Sequence, residues 1–325
     1  MQTLEQRAGR VAISLARAVE TRRVLARLHD ASVPALLVKG AHLEWTCYDQ
    51  PHERERSDTD MLVRERDLDV AATVLAAAGY TPALQPGGKI AVAQRTWFYT
   101  DSTGVDHAID LHWRLSNVQL FRRALEWVEL WAARSPVPQL GPHAFGPSIE
   151  HALLLACIHR IAHHARSPRP IWLDDIHRLC GKLDDPGWRD FSTLARNRGL
   201  GAAVAASLGD ASAAFGTRLP ASILRDLEAA GATAPKVARF IARPRTRLGA
   251  ALSDWRQLGA RDRLTFIRDH VFPPPSYIRA RYEVTSPAAI AWMYFARLVR
   301  PPSPRLRRAR HVAPSTSHEH AARRT

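Results

Sequence analysis

The chain has 325 residues, of which 46% are hydrophobic and 24% charged, an ordinary globular make-up with room for two cored units. It contains no apolar run long enough for a membrane helix, and residues 1–30 carry arginines and glutamates instead of the apolar stretch of a secretory leader. The formal charge of +15 would attract polyanions, but lysine occurs only at Lys39, Lys89, Lys182 and Lys236, so a GC-rich coding bias with solvated arginines is favoured over a nucleic-acid partner. The cysteines Cys47, Cys157 and Cys180 lie far apart, which excludes a metal-ligand pair and suits reduced thiols in the cytoplasm.

Residues 2–29 have apolar positions at helical spacing, among them Leu4, Val11, Leu15, Val24 and Leu28. A short buried strand is expected at 35–38, with Gly40 opening a helix to about Tyr48, and a polar loop leads to a second strand at 58–63. Residues 68–78 read as an amphipathic helix stopped by Gly79. Two β-rich runs, 90–100 and 105–113, flank the turn Asp101-Ser102-Thr103-Gly104 and predict a hairpin, followed by a helix over 121–133. The proline-bearing stretch 134–147 reads as a linker.

After it the pattern is helical, with segments expected at 148–165, 172–183, 187–198, 201–215, 219–230, 235–242, 253–270 and 286–299, broken by Pro273-Pro274-Pro275. From Pro301 onward large apolar residues nearly vanish, which predicts a disordered basic tail over 301–325. The expected class is α+β. A small mixed β-sheet core flanked by helices fills 1–135, and an all-helical domain fills 148–300.

Asp58 and Asp60 carry the strongest chemical signal. On a strand they point to one side, roughly 6.6 Å apart along the backbone, and can hold a hard divalent cation such as Mg²⁺ or Mn²⁺. Phosphoryl and nucleotidyl transfer need such ions to position the reactants and neutralise developing charge. A third carboxylate is expected from the strand ending Ile109-Asp110-Leu111-His112-Trp113, where Ile109 and Leu111 face the core and Asp110 and His112 share the other face. Asp106 lies nearer the hairpin turn and reads as solvated.

Lys39 ends a buried strand, where an ammonium is costly unless it meets an anion. Gly40 lets the backbone approach a phosphate closely. Arg54, Arg56 and Ser57 precede the carboxylates as candidate phosphate contacts, and His112 could contact phosphate, orient Asp110 or simply pack. His159 and His163 share a helix face, suited to packing or substrate contact better than to a metal, since no third ligand stands nearby in sequence. Asp174 and Asp175 begin a helix, where a capping role competes with Asp175 and His163 lining an acceptor pocket.

Lys39-Gly40, Arg54-x-x-Ser57-Asp58-x-Asp60-x-Leu62-Val63, Gly79-Tyr80 and Ile109-Asp110-Leu111-His112-Trp113 resemble the bacterial "uncharacterised nucleotidyltransferase" family of the DNA polymerase β-like superfamily, akin to abortive-infection toxin nucleotidyltransferases. The likeness extends over His159, His163, Trp172, Asp175-Ile176 and the segment from Phe272 to Tyr282. It implies a mixed-sheet catalytic domain, a helical C-terminal domain, Mg²⁺ and a nucleoside triphosphate, with Asp58, Asp60 and Asp110 as metal ligands. Two departures stand out: Lys39-Gly40 replaces the Gly-Ser of the wider superfamily, and Thr59 replaces the aliphatic between the aspartates.

The expected activity is transfer of a nucleoside monophosphate from a triphosphate to an acceptor hydroxyl in the cytoplasm. The acceptor is left open among a small metabolite, a protein side chain and an RNA 3′ end, since no aromatic and basic residues interleave as in single-strand binders. Two rival readings are a toxin that modifies RNA in a two-gene growth-control system and a catalytically silent nucleotide-binding module.

Overall fold

The short apolar runs of the first half form one five-stranded sheet. In the computed structural model, which describes residues 4–299 apart from 86, 89, 91, 165 and 243–245, its strands are β1 (Ala35–Leu37), β2 (Thr59–Val63), β3 (Thr81–Pro82), β4 (Gln94–Thr100) and β5 (Asp106–His112). The tail expected over 301–325 lies outside the described residues. The strand order is β1-β2-β5-β4-β3, with β2 and β5 parallel and every other pair antiparallel. Together with the helices that follow, this mixed sheet makes the α+β fold expected from the sequence.

Strand alternation divides the sheet cleanly. Leu37, Met61, Val63, Ile109 and Leu111 pack on one face with Val24, Leu25 and Leu28 of α1 (Leu4–Asp30) and with Leu68 and Leu75 of α3 (Leu68–Ala77). Leu36, Val38 and Leu62 enter the opposite core, which continues through Leu153, Leu154, Ile158 and Ile161 of α5 (Ile149–His164). Asp60, Asp110 and His112 hold the same parity as Leu62 along β2 and β5, so they belong to the α5 face.

Local signals end the elements where the chemistry dictates. Gly79 takes φ 95° beyond α3, and the Tyr80 amide closes the helix end on the Leu75 carbonyl at 3.0 Å. The hairpin turn is held by Asp101, whose Oδ1 accepts from the amides of Thr103 at 2.8 Å and Val105 at 3.0 Å. Between β1 and β2 lies α2 (Gly40–Thr46).

The helical part adds α4 (Trp127–Ala132), α5, α6 (Pro170–Cys180), α7 (Asp185–Asn197), α8 (Gly201–Phe215), α9 (Ala221–Thr233) and α10 (Pro235–Ala242). It ends with α11 (Arg247–Gln257), α12 (Ala260–Val271), α13 (Pro275–Tyr282) and α14 (Pro287–Val299). No helix among the described residues is long and apolar enough to cross a membrane. Buried Arg160 ties the end of α5 to α8 by donating to Asp210 at 2.6 Å and to the Ser167 carbonyl at 2.9 Å.

Three helices differ from the pattern read in the sequence. The expected helix over 121–133 is a single tight turn at Gln119–Phe121 followed by α4, because Gln119 is held by long-range bonds, its amide on Asp254 and its side chain on the Ile90 carbonyl. The expected 253–270 helix is two helices parted at Gly259, which lets Leu258 turn inward against Ile90 and Phe266. The triple proline, read as a breaker, starts α13, since a proline in the first helical turn forfeits no hydrogen bond.

Helices α8 and α9 cross at Gly201 and Gly231, where their backbones nearly touch. A β-carbon on Gly231 would lie 2.8 Å from the Ala202 nitrogen. Gly231→Ala should therefore cost about 1–3 kcal/mol of stability in urea unfolding. Gly209→Ala, whose β-carbon meets nothing within 4 Å, should instead add about 0.5–1 kcal/mol.

Candidate active site

The parallel register of β2 and β5 sets Asp60 directly beside Asp110, with His112 opposite Leu62. His112 Nε2 lies 2.7 Å from Asp60 Oδ1, and one ligand atom from each of Asp60, Asp110 and His112 falls within 4.8 Å of the others. β4 orients the third member: Thr96 Oγ1 donates to Asp110 Oδ1 at 2.6 Å, and Gln94 Nε2 donates to Oδ2. Asp58 stands one residue before β2 and lines the same cleft.

Lys39 supplies the compensating charge. Its ammonium donates to Asp60 Oδ1 at 2.6 Å and lies 3.2 Å from His112 Nε2. Its backbone has φ 52° and ψ −134°, a conformation that costs a non-glycine residue about 1–3 kcal/mol, and it is held there by the amides of His42 and Leu43 on its carbonyl.

Asp60 of β2 and Asp58 just before it titrate in opposite directions. Burial alone would raise the Asp60 carboxyl, but Lys39 and the hydrogen-bonded His112 outweigh it and hold Asp60 well below the usual carboxylate range. Burial, then the charges of Asp60 and Asp110, push Asp58 up to about 6. The cluster thus carries more negative charge than Lys39 offsets, and its buried carboxylate and imidazole donors suit a divalent cation.

The two predicted arginines are committed to protein acceptors. Arg54 makes a two-pronged bond to Asp175, Nε at 2.7 Å and Nη2 at 2.8 Å, and Tyr48 donates to the same carboxylate at 2.8 Å. Gly40 packs over this arrangement, since a β-carbon there would sit 3.5 Å from the Arg54 guanidinium. Arg56 pairs with Glu44 at 2.7 Å and donates to the Asp58 carbonyl at 2.7 Å and to Thr59 Oγ1 at 2.6 Å, bracing the turn that presents Asp58. Ser57 is exposed at the rim.

Lys39, Gly40, Arg54, Arg56, Ser57, Asp58, Asp60 and Asp110 line a cleft of about 690 Å³ between the sheet and helices α5 and α6. Its far wall carries His159, His163, His164 and Trp172, with the His164 ring stacked on Trp172 at 3.6 Å. Burial first, and the nearby Lys39 charge next, hold the His159 imidazole well below its ordinary value. His163 Nε2 lies 3.2 Å from Ser116 Oγ. Asp175, read as a cap or a pocket residue, lines this cleft while gripping Arg54.

Sequence reading missed Gln94 and Thr96, although the hairpin register that pairs them with His112 and Asp110 would have put them beside those residues. It also missed Arg17 and Glu44, for which no local pattern gives a signal. Arg17 reaches the cleft from α1 and donates to the Arg56 carbonyl.

The sequence pattern of the uncharacterised nucleotidyltransferases matches residues 4–216, more than half of the chain. The chain belongs to that family. The match spans every strand of the sheet and runs on through α8, so it takes in both walls of the cleft. No curated protein matches the chain. Membership in a nucleotidyltransferase family implies a nucleotide substrate, and the buried group of two aspartates and a histidine is able to hold a divalent metal.

Two outcomes follow from these contacts. Asp175→Asn leaves a buried Arg54 without its counter-charge and should lower stability by about 3 kcal/mol in urea unfolding. Ionising Asp58 costs the folded chain stability as pH climbs from 3.8 to about 6, because that chain holds the proton more tightly than the unfolded one. Relative to wild type, Asp58→Asn should be more stable by about 1–3 kcal/mol above that range and indistinguishable below it, measured by urea unfolding across pH with EDTA present.

Proposed function

We propose that the protein transfers a nucleoside monophosphate from a nucleoside triphosphate to an acceptor hydroxyl and releases pyrophosphate. The observation that carries this reading is the pairing of Asp60 with Asp110 across parallel strands, with Asp58 beside them, at the floor of a cleft large enough for a nucleotide. In this reading residues 1–135 supply the carboxylates and 148–300 the opposite wall, as in the DNA polymerase β-like superfamily.

Asp58, Asp60 and Asp110 would hold Mg²⁺, with Mn²⁺ able to substitute, and His112, whose Nε2 lies 2.7 Å from Asp60 Oδ1, would orient that carboxylate or contact phosphate. The bound ions would supply neutralisation of the charge that gathers on the transferred phosphate. Asp110, fixed by Thr96 and Gln94, takes the proton from the acceptor hydroxyl as its oxygen bonds to the α-phosphorus. The bond from that phosphorus to the bridging oxygen of the β-phosphate breaks, and pyrophosphate carries away the electron pair. Lys39 and the Gly40 turn face the triphosphate from the end of β1. Arg56 acts on Asp58 from behind, and Ser57 is open to contact the nucleotide from the rim.

The test is incubation with each labelled triphosphate and Mg²⁺ against small-molecule, protein and RNA acceptor fractions. Asp60→Ala should cut transfer by about a hundredfold or more while circular dichroism shows an intact fold. Transfer within a few-fold of wild type would rule out the metal-site assignment. Lys39→Ala should weaken triphosphate binding and slow single turnover as well, because charge grows on the leaving group.

A further inference from the structure

Beside the main cleft lies a second, smaller chamber of about 30 Å³, lined by Lys39, Gln94, His112, Arg114, Asn117 and His159 among others. Lys39, Gln94 and His159 line both spaces, so the chamber adjoins the cleft directly. Arg114 is placed there by the turn that follows β5. Its Nη2 donates to the Val92 carbonyl at 3.3 Å, whereas Nε and Nη1 are buried and have no hydrogen-bond partner among the described residues. No carboxylate forms an ion pair with it among the described residues, in contrast to Arg54 with Asp175 and Arg56 with Glu44. A guanidinium with buried, unmatched donors is costly to keep unless an anion completes it.

We propose that Arg114, with Lys39, seats the terminal phosphate of the nucleotide and thereby selects triphosphates over diphosphates. The inference rests on the nucleotidyl-transfer reading of the cleft and names the residue that measures the length of the phosphate chain. Nε and Nη1 lie on different edges of the guanidinium, so each has an N–H to offer singly to an anionic oxygen in a charge-assisted bond. The chamber has room for one or two water-sized groups, so phosphate oxygens reach Arg114 while the phosphorus stays in the cleft. Lys39, standing between the chamber and the carboxylates, links the two ends of the chain.

Calorimetry on the full chain with inorganic tripolyphosphate, with ATP and with ADP tests the proposal, using Arg114→Met and Arg114→Lys. Arg114→Met should weaken tripolyphosphate binding about tenfold or more and bring the ATP and ADP affinities together, with Arg114→Lys between the two. Tripolyphosphate should raise the melting temperature of wild type but not of Arg114→Met, and without anion that variant should melt no lower than wild type. Binding of tripolyphosphate by Arg114→Met at wild-type strength overturns the proposal, as does failure of wild type to bind it. If Arg114→Met does not fold, an unchanged preference for ATP over ADP in Arg114→Lys overturns it. Arg114-dependent tripolyphosphate binding without any nucleotidyl transfer would keep the anion seat and remove the reaction. Transfer with an unaltered triphosphate preference in both variants would remove the seat alone.

Discussion

Convergence of like charge is the constraint around which the molecule is arranged. The parallel register of β2 and β5 forces two aspartates side by side, and the turn before β2 adds a third. Carboxylates in a buried place repel one another, and each resists ionisation there. The chain answers with one ammonium, Lys39, delivered by a residue in a left-handed backbone conformation at the end of β1. The relief is unequal: Asp60 gains both Lys39 and His112, and Asp58 is left with a raised carboxyl.

A second set of ionic contacts keeps this arrangement in shape from behind. Arg56 joins Glu44 of α2 to the backbone of Asp58, and Arg54 joins the loop before β2 to Asp175 of α6. The apolar residues of the same sheet face, Leu36 and Leu62, run into the core that includes α5. Floor and far wall of the cleft therefore share both an apolar core and a buried ion pair. Arg54 and Arg56, which line the cleft, are thereby each anchored to a carboxylate on another element.

Much of the sheet was legible because strands 35–38 and 58–63 and the hairpin around 101–104 are short apolar runs ended by glycine or polar turns. Period-two alternation correctly set Asp110 and His112 on the face opposite Ile109 and Leu111. Which protein groups pair with Arg54 and Arg56 was not legible, because those partners, Asp175 and Glu44, are chosen by tertiary packing. The helix boundaries near 119–127 and 257–260 escaped for a similar reason. There Gln119 and Leu258 answer to distant partners, Asp254 and Ile90, and local periodicity cannot report them.

The Arg54–Asp175 bond, buried on both sides, has a consequence for how anything enters. A cleft whose two walls can part like a hinge closes around bulky guests, and its width adapts to them. Parting these walls would break both prongs of this bond and uncover the apolar core that Leu173 and Ile176 of α6 share with Leu36 and Leu62 of the sheet. The gap therefore behaves as a slot of set breadth.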